Sequence, residues 1–404
     1  MGRTTSTLTL VALFGGTVLA AQAPAALSLD DAMTRALAAN PSVLAARTAR
    51  PADVAGIRAA AQRPNPELAV EAARETPHWA VGGTFPIEIS GKRQRRIDVA
   101  NATLLATDAE IARATADVRA DVRRAYYEQA AAVRRVAIME ELEGLASRAQ
   151  AAAEERFQTG AAPRLESLQA ALALAQARNE VASARGQLEA ARADLNALLG
   201  YPVDAAPNLS DAIDAGPLPA IDAATQQALA GNAELISLQR QIDVQRAKVA
   251  LAQAMRRPDP AVSATFTYDA PGEFTYGWRF GGAIAIPIFT SGRADVAVAD
   301  ANLTRAVAEK DARSAQVAGA VASAVARARA ARQTVDRYRT EILPASLEVE
   351  RMADESYRAG QTGLPAYLQT VQAARDARQR ALQAALDYQA ALADLERAMG
   401  TPLR

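Results

Sequence analysis

Two kinds of periodicity alternate along this chain, and each occurs twice. From Gly91 to Gly160 and from Gly292 to Gly360, apolar residues recur at coiled-coil spacing, as at Val335, Tyr338, Ile342, Val349 and Met352. That pattern predicts very long helices, with one weak point each at Gly144 and Pro344. Ahead of each helix the period drops to two. Trp79, Val81, Phe85, Ile87 and Ile89 share one face, with Thr84, Glu88 and Ser90 on the other. Later, Val262, Phe266 and Tyr268 alternate with Ser263, Thr265 and Thr267, and Phe274, Tyr276, Trp278 and Phe280 alternate with Thr275, Gly277 and Arg279. Such alternation predicts strands with one apolar face, in pairs over about 66–90 and 260–288. Both tryptophans of the chain lie in these strands.

The two series are copies of one unit. Arg35-Ala-Leu-Ala-Ala-Asn40 answers to Gln227-Ala-Leu-Ala-Gly-Asn232, and Arg63-Pro-Asn-Pro66 to Arg257-Pro-Asp-Pro260. Phe85-Pro-Ile and Ser90-Gly-Lys answer to Ile286-Pro-Ile and Ser291-Gly-Arg. The offset stays near 200 through Glu155-Arg-Phe-Gln-Thr-Gly160 and Glu355-Ser-Tyr-Arg-Ala-Gly360, so the matches are in register. The first repeat spans 24–210 and the second 211–404. Each is expected to hold a leading helix (about 29–62 and 221–257), a strand pair and a long helical hairpin (92–199 and 292–399). Pro163 and Pro365 open the return helices, and Gly with a Pro two residues on closes them.

Lengths constrain the architecture. A helix over 92–158 extends roughly 100 Å, and the helices over 164–199 and 221–257 roughly 55 Å each. The two shorter ones stacked end to end match the long one, which puts the linker 200–220 at mid-height. The fold class is therefore mainly α with a small β part. Four strands cannot close a barrel, and lipid does not tolerate an open sheet edge. If the strands enter a membrane, the chain must oligomerise.

Composition adds three limits. Half the residues are apolar but only 4% aromatic, as close-packed Ala-rich helices require. Lys+Arg and Asp+Glu both number 45, so no basic excess points to nucleic acid. With no cysteine and one histidine, thiolate chemistry is excluded and no metal site or cofactor is expected. The same shortage leaves an enzyme without its usual parts. At the start, Arg3, the apolar run Leu8–Leu19 and small residues at Ala20, Ala21 and Ala23 predict a signal peptide over 1–23, cleaved between Ala20 and Ala25.

With repeat, strand pairs and exits in hand, the chain resembles the TolC-type outer-membrane factors over essentially its whole mature length. The carrying residues are Phe85-Pro-Ile-Glu-Ile-Ser-Gly-Lys-Arg93, Ile286-Pro-Ile-Phe-Thr-Ser-Gly-Arg293 and the tips around Gly160 and Gly360. The first signature is similar to the CzcC-like branch of heavy-metal efflux ducts. The resemblance implies a homotrimer with a 12-strand barrel in the outer membrane of a Gram-negative bacterium and a large periplasmic tunnel. It implies docking to a periplasmic adaptor (membrane fusion) protein and an inner-membrane pump of the RND type, giving the exit duct of a tripartite efflux or secretion system. On it, Pro86, Gly91, Pro287 and Gly292 become barrel-to-helix exits, and Gly160, Ala161, Gly360 and Gln361 adaptor-docking tips. Family members narrow the periplasmic entrance with acidic residues just past the second tip. The matching positions here are Ala366 and Gln369, with Glu166 and Gln169 in the first repeat, so an acidic constriction would rest on Glu166.

Trp79 and Trp278 suit an aromatic girdle against outer-membrane lipid, although a soluble sheet could also use them as core. Lys92, Arg93, Arg95 and Arg96 oppose the dipole at a helix start; lipid phosphates or a solvated face would each account for them. Gly91-Lys92 is no phosphate loop, because Pro86 stands at the first glycine position. His78 reads as a solvated loop residue. The competing reading is an exported periplasmic helical adaptor or scaffold without a pore, and an adaptor would carry a single hairpin inside β-rich flanks.

Overall fold

The structure is a computed structural model and describes residues 26–211, 213, 218 and 220–402; the expected signal peptide lies outside them. The elements are α1 (Leu29–Ala39), α2 (Pro41–Arg47), α3 (Ala49–Ala60), β1 (Glu67–Ala72), β2 (Trp79–Pro86), α4 (Lys92–Gln158) and α5 (Arg164–Leu199), then α6 (Ile221–Gly231), α7 (Ala233–Met255), β3 (Pro260–Ala270), β4 (Phe274–Ile284), α8 (Arg293–Arg337), a π-turn (Tyr338–Ile342), α9 (Leu343–Arg358) and α10 (Leu364–Met399). The fold is mainly α with one four-stranded antiparallel sheet.

The leading helices are broken where continuous helices were expected. Asn40 and Asn232 cause the breaks. Each side-chain oxygen accepts the next helix's first amides, from Ser42 and Val43 or from Glu234 and Leu235. Each amide nitrogen donates to the end of a return helix, at Leu198 or Ala398 (3.0 and 2.9 Å). A buried Asn that caps one helix and ties down another accounts for the repeated motif. Thr48 makes a further break in the first copy.

α4 runs 67 residues, straight through Gly144. Its counterpart is interrupted by the π-turn just before Pro344. Proline has no N–H for the carbonyl four residues back and its ring crowds that oxygen, so the chain takes one wider turn. The return helices α5 and α10 have 36 residues each.

The halves of α4 have different partners. Glu110 accepts from Ser237 and Gln241 of α7, whereas Glu140 and Glu143 pair with Arg185 and Arg178 of α5. α5 and α7 thus share the length of α4. Near its middle, Tyr126 is fully buried; it donates to the Leu27 carbonyl (2.8 Å) and accepts from the Asp211 amide (3.2 Å). The linker residues Pro207 and Leu209 lie at this same level. Among the described residues no helix is long and apolar enough to cross a membrane.

Candidate channel surfaces: sheet face, strand exits and hairpin tips

The sheet runs β1-β2-β3-β4, so the central pair joins the two repeats. Directly opposed residues of an antiparallel pair share a face. One face carries the rows Leu68–Gly83–Ala264–Phe280, Val70–Val81–Phe266–Trp278 and Ala72–Trp79–Tyr268–Tyr276. The other carries Glu67–Thr84–Ser263–Gly281, Ala69–Gly82–Thr265–Arg279 and Glu71–Ala80–Thr267–Gly277. Trp79 and Trp278 therefore lie on one face, which is apolar throughout and largely uncovered. Phe266 packs edge-on to Trp278 (5.2 Å between centroids), and Trp278 stacks with Phe280 (6.2 Å). The polar face is close-packed across strands: a Cβ on Gly82 would sit 2.5 Å from Thr265 Oγ1, and one on Gly281 2.8 Å from Ser263 Oγ.

Both exits turn on a glycine. Gly91 (φ 70°) and Gly292 (φ 66°) precede α4 and α8 in left-handed conformation, which an L side chain resists. β2 ends at Pro86, so Ile87 and Ile89 lie beyond the strand to which the alternation assigned them. They still bind across the repeats: the Ile87 amide donates to the Pro260 carbonyl (2.8 Å), and the Ile89 amide to Asp259 Oδ1 (3.0 Å).

Three of the four cations of the basic cluster there bond to groups brought in from elsewhere in the fold. Lys92 is only 4% exposed and its Nζ lies 2.8 Å from Asp259 Oδ2. Arg96 forks onto Glu88 and also donates to the carbonyls of Ala60 and Gln62; Arg93 donates to Ala61. Arg93 and Arg96 oppose the dipole of α4 but cap the carbonyl end of α3, Lys92 is paired with Asp259, and the exposed Arg95 lies 3.3 Å from Asp98. The hydrogen bond from Arg96 holds the Glu88 carboxyl below the ordinary carboxylate range. Asp259 was not singled out from the sequence, although its replacement of Asn65 in the repeated Arg-Pro-x-Pro motif was a visible signal.

At the tips, Gly160 (φ 76°) and Gly360 (φ 72°) close identical Schellman motifs. The Gly160 and Ala161 amides donate to Phe157 and Arg156, and those of Gly360 and Gln361 to Tyr357 and Ser356. No atom lies within 4 Å of a Cβ built on either glycine, so backbone sign, not space, calls for glycine. Gly160, Ala161, Gly360 and Gln361 are exposed, as are Gln169, Ala366 and Gln369.

Glu166 differs from these. It is half-buried, 3.3 Å from Arg156 Nη1, and accepts from the Tyr357 hydroxyl at 3.3 Å. Tyr357 stacks on Tyr367 (4.9 Å, 10° between planes), and Tyr367 donates to Asp354. Burial, then the nearby carboxylates, raise both phenols above their usual range. Arg156, Tyr357 and Tyr367 went unnoticed in the sequence, since a Tyr pair ten residues apart carries no periodic signal. Among the described residues no group of three or more His, Asp or Glu could hold a metal ion.

Comparisons with known proteins agree with this architecture. A cobalt-zinc-cadmium resistance protein, CzcC of Cupriavidus metallidurans, is 27% identical over 274 residues. That alignment spans 66% of this chain and 65% of the relative. The structure of CusC superposes with a TM-score of 0.77 at 18% identity, covering 94% of this chain and 93% of that one. The Campylobacter jejuni CmeC outer membrane channel gives 0.75 at 17% identity, with 92% and 85% covered. The outer membrane efflux protein profile matches residues 32–201 and again 224–401, one stretch per repeat, and the chain belongs to that family.

Proposed function

We propose that this chain is the outer-membrane exit duct of a tripartite efflux system in a Gram-negative bacterium. The observation that carries this reading is the sheet. It has a continuous apolar face with aromatic rings concentrated on β3 and β4, a polar face and, among the described residues, two unpaired edges, and it stands at one end of two helical hairpins. Three copies would join twelve strands into one barrel, aromatic face to lipid and polar face to the lumen. The Leu165, Leu168, Leu172 stripe on α5 and Val349 and Met352 on α9 are exposed in the single chain, and neighbouring copies supply the cover such stripes need.

The helices would then reach about 100 Å into the periplasm, the length of α4. At that distance Gly160, Ala161, Gly360 and Gln361 meet a periplasmic adaptor end-on, and the adaptor joins the duct to an inner-membrane pump of the RND type. Gln169, Ala366, Gln369 and the Arg156-paired Glu166 line the entrance, which is less acidic than the family pattern implies. Likeness to a cobalt-zinc-cadmium resistance protein supports divalent metal ions as cargo.

Deleting the gene should sensitise cells to cobalt, zinc or cadmium, and the wild-type chain should restore growth. Gly160→Glu and Gly360→Glu should leave trimers in the outer membrane yet abolish export and adaptor cross-linking. Variants that assemble and export normally would place docking elsewhere; a water-soluble monomer would overturn the duct.

A further inference from the structure

The two strand exits share a sequence but not a set of partners. At the first, Lys92 pairs with Asp259 and Arg96 with Glu88. At the second, Pro287-Ile-Phe-Thr-Ser-Gly-Arg293 carries no carboxylate, because Phe289 stands where Glu88 stands in the first copy. Arg293 answers to Lys92, and the chain leaving α7 adds Arg256 and Arg257 just ahead of Pro258. All three arginines are exposed, and among the described residues none forms an ion pair. Asp259 is taken by Lys92, and Asp295 pairs with none of them. Arg256 is held at the exit itself, where its Nε donates to the Ser291 carbonyl (3.4 Å).

The apolar residues at this exit are as exposed as the cations. β2 runs through its Pro86, whereas β4 stops at Ile284, ahead of the equivalent Pro287. Beyond the strand Ile286 is 73% exposed, Ile288 75% and Phe289 97%. A contiguous apolar patch of this kind marks a surface that meets something other than water. A neighbouring copy does not account for it. Glu88, the counterpart of Phe289, bonds to Arg96 of its own exit and not to the strand alongside. α7, which leads to Arg256 and Arg257, lies between α4 and α8 of its own chain, tied to them by Ser237–Glu110 and Gln239–Lys310 contacts. A joint between copies therefore leaves Phe289 and these two arginines uncovered.

We infer that the second exit is a binding site for anionic phospholipid. In the duct reading, on which this rests, the exit stands where the barrel leaves the inner leaflet of the outer membrane. Ile286 and Phe289 meet the acyl border, and Arg256, Arg257 and Arg293 take the phosphate, for which a guanidinium fork is the fitting donor. Arginine suits that depth because its stem lies along apolar surface while its head stays in water. The lumen suits the patch less well, since cationic cargo would be repelled and the apolar residues would face water. Repeated in each copy, the site forms a belt that fixes the depth of the duct. The first exit cannot supply such a belt, because its cations are already bonded within the fold.

The test is lipid binding by the detergent-solubilised trimer, read by native mass spectrometry. Phosphatidylglycerol should bind the wild type roughly tenfold more tightly than phosphatidylcholine, whose choline cation meets the same arginines, and the preference should shrink with added salt. Matched acyl chains make the ratio a measure of the headgroup alone. Arg256→Gln/Arg257→Gln/Arg293→Gln should bring the two lipids to parity. Arg327→Gln/Arg329→Gln/Arg337→Gln removes the same charge roughly 50 Å or more down α8 and should leave the preference intact. Phe289→Ser should weaken both lipids alike, and inorganic phosphate should not displace phosphatidylglycerol. A wild-type trimer without preference overturns the site, and that result needs no variant. An equal loss in the distant triple variant reduces the preference to net charge and overturns the site as well. Displacement by inorganic phosphate, with Phe289→Ser silent, would make it a site for free anions instead of lipid. A water-soluble monomer overturns the duct reading itself, which every outcome seen in a membrane-extracted trimer leaves standing.

Discussion

The two hairpin tips share a backbone and differ in what they bury. Both reverse through the same hydrogen-bond pattern around a left-handed glycine. At the second tip Tyr357, Leu364 and Tyr367 are buried against Ala149, Ala153 and Ala170 of the first hairpin, with Tyr367 1% exposed. At the first tip Phe157 and Leu168 point outward, and Leu165 is 63% exposed. Duplication kept the turn, which local backbone geometry dictates. Side chains diverged because one hairpin became the donor of large residues and the other the small-residue surface that receives them.

This contrast can be broken in order of size. Tyr367→Ala removes a buried, stacked ring and should cost about 3–5 kcal/mol by thermal unfolding, as large-to-small core changes do. Leu168→Ala should change the dissociated chain by under about 0.5 kcal/mol and show instead as trimers that separate at lower temperature. Equal losses from the two variants would erase the buried–exposed distinction.

Gly160→Ala and Gly360→Ala should each cost about 1–2 kcal/mol, the strain of a left-handed L residue. The test is their equality, because neither site is crowded; a large difference would mean the turns are not equivalent. Glu166→Gln should cost about 1 kcal/mol, since the pair with Arg156 is partly exposed. A cycle with Arg156→Gln should recover most of that loss as coupling.

The smallest effect is alkaline. Phenols whose pKa is raised by folding contribute stability below the ordinary phenol range and lose it as pH rises through the folded value. Chemical-shift or fluorescence melts of the second tip should therefore weaken at high pH, and Tyr367→Phe should flatten that dependence. The acid limb belongs elsewhere. Glu88, held low by Arg96, contributes stability above the ordinary carboxylate range that is lost as pH falls below it, and Glu88→Gln should remove that loss.

Much of this was legible before any coordinates. The return helices run over Arg164–Leu199 and Leu364–Met399, each with a Pro at its start and a left-handed Gly just past its end. A period of two set which residues of each strand share a face, but the register across β2, β3 and β4 was needed to bring Trp79 and Trp278 onto the same one. Asn40 and Asn232 were visible as repeated residues, but their role was not. A cap that breaks a helix is recognised by its second bond, to a carbonyl more than 150 residues away. The same holds for the basic cluster at Lys92–Arg96, whose partners are the end of α3 and a carboxylate 167 residues on.

Sequence alone determined the period of each segment, the sites of chain reversal and the duplication, since these rest on backbone geometry and neighbours in the chain. Tertiary structure alone decided which tip is filled by which, which charges are spent inside the fold, and that β4 ends before its Pro287. Those outcomes depend on surfaces brought together from distant parts of the chain. The end of β4 depends further on an edge with no partner among the described residues, and nothing in a single strand's pattern states what lies across from it.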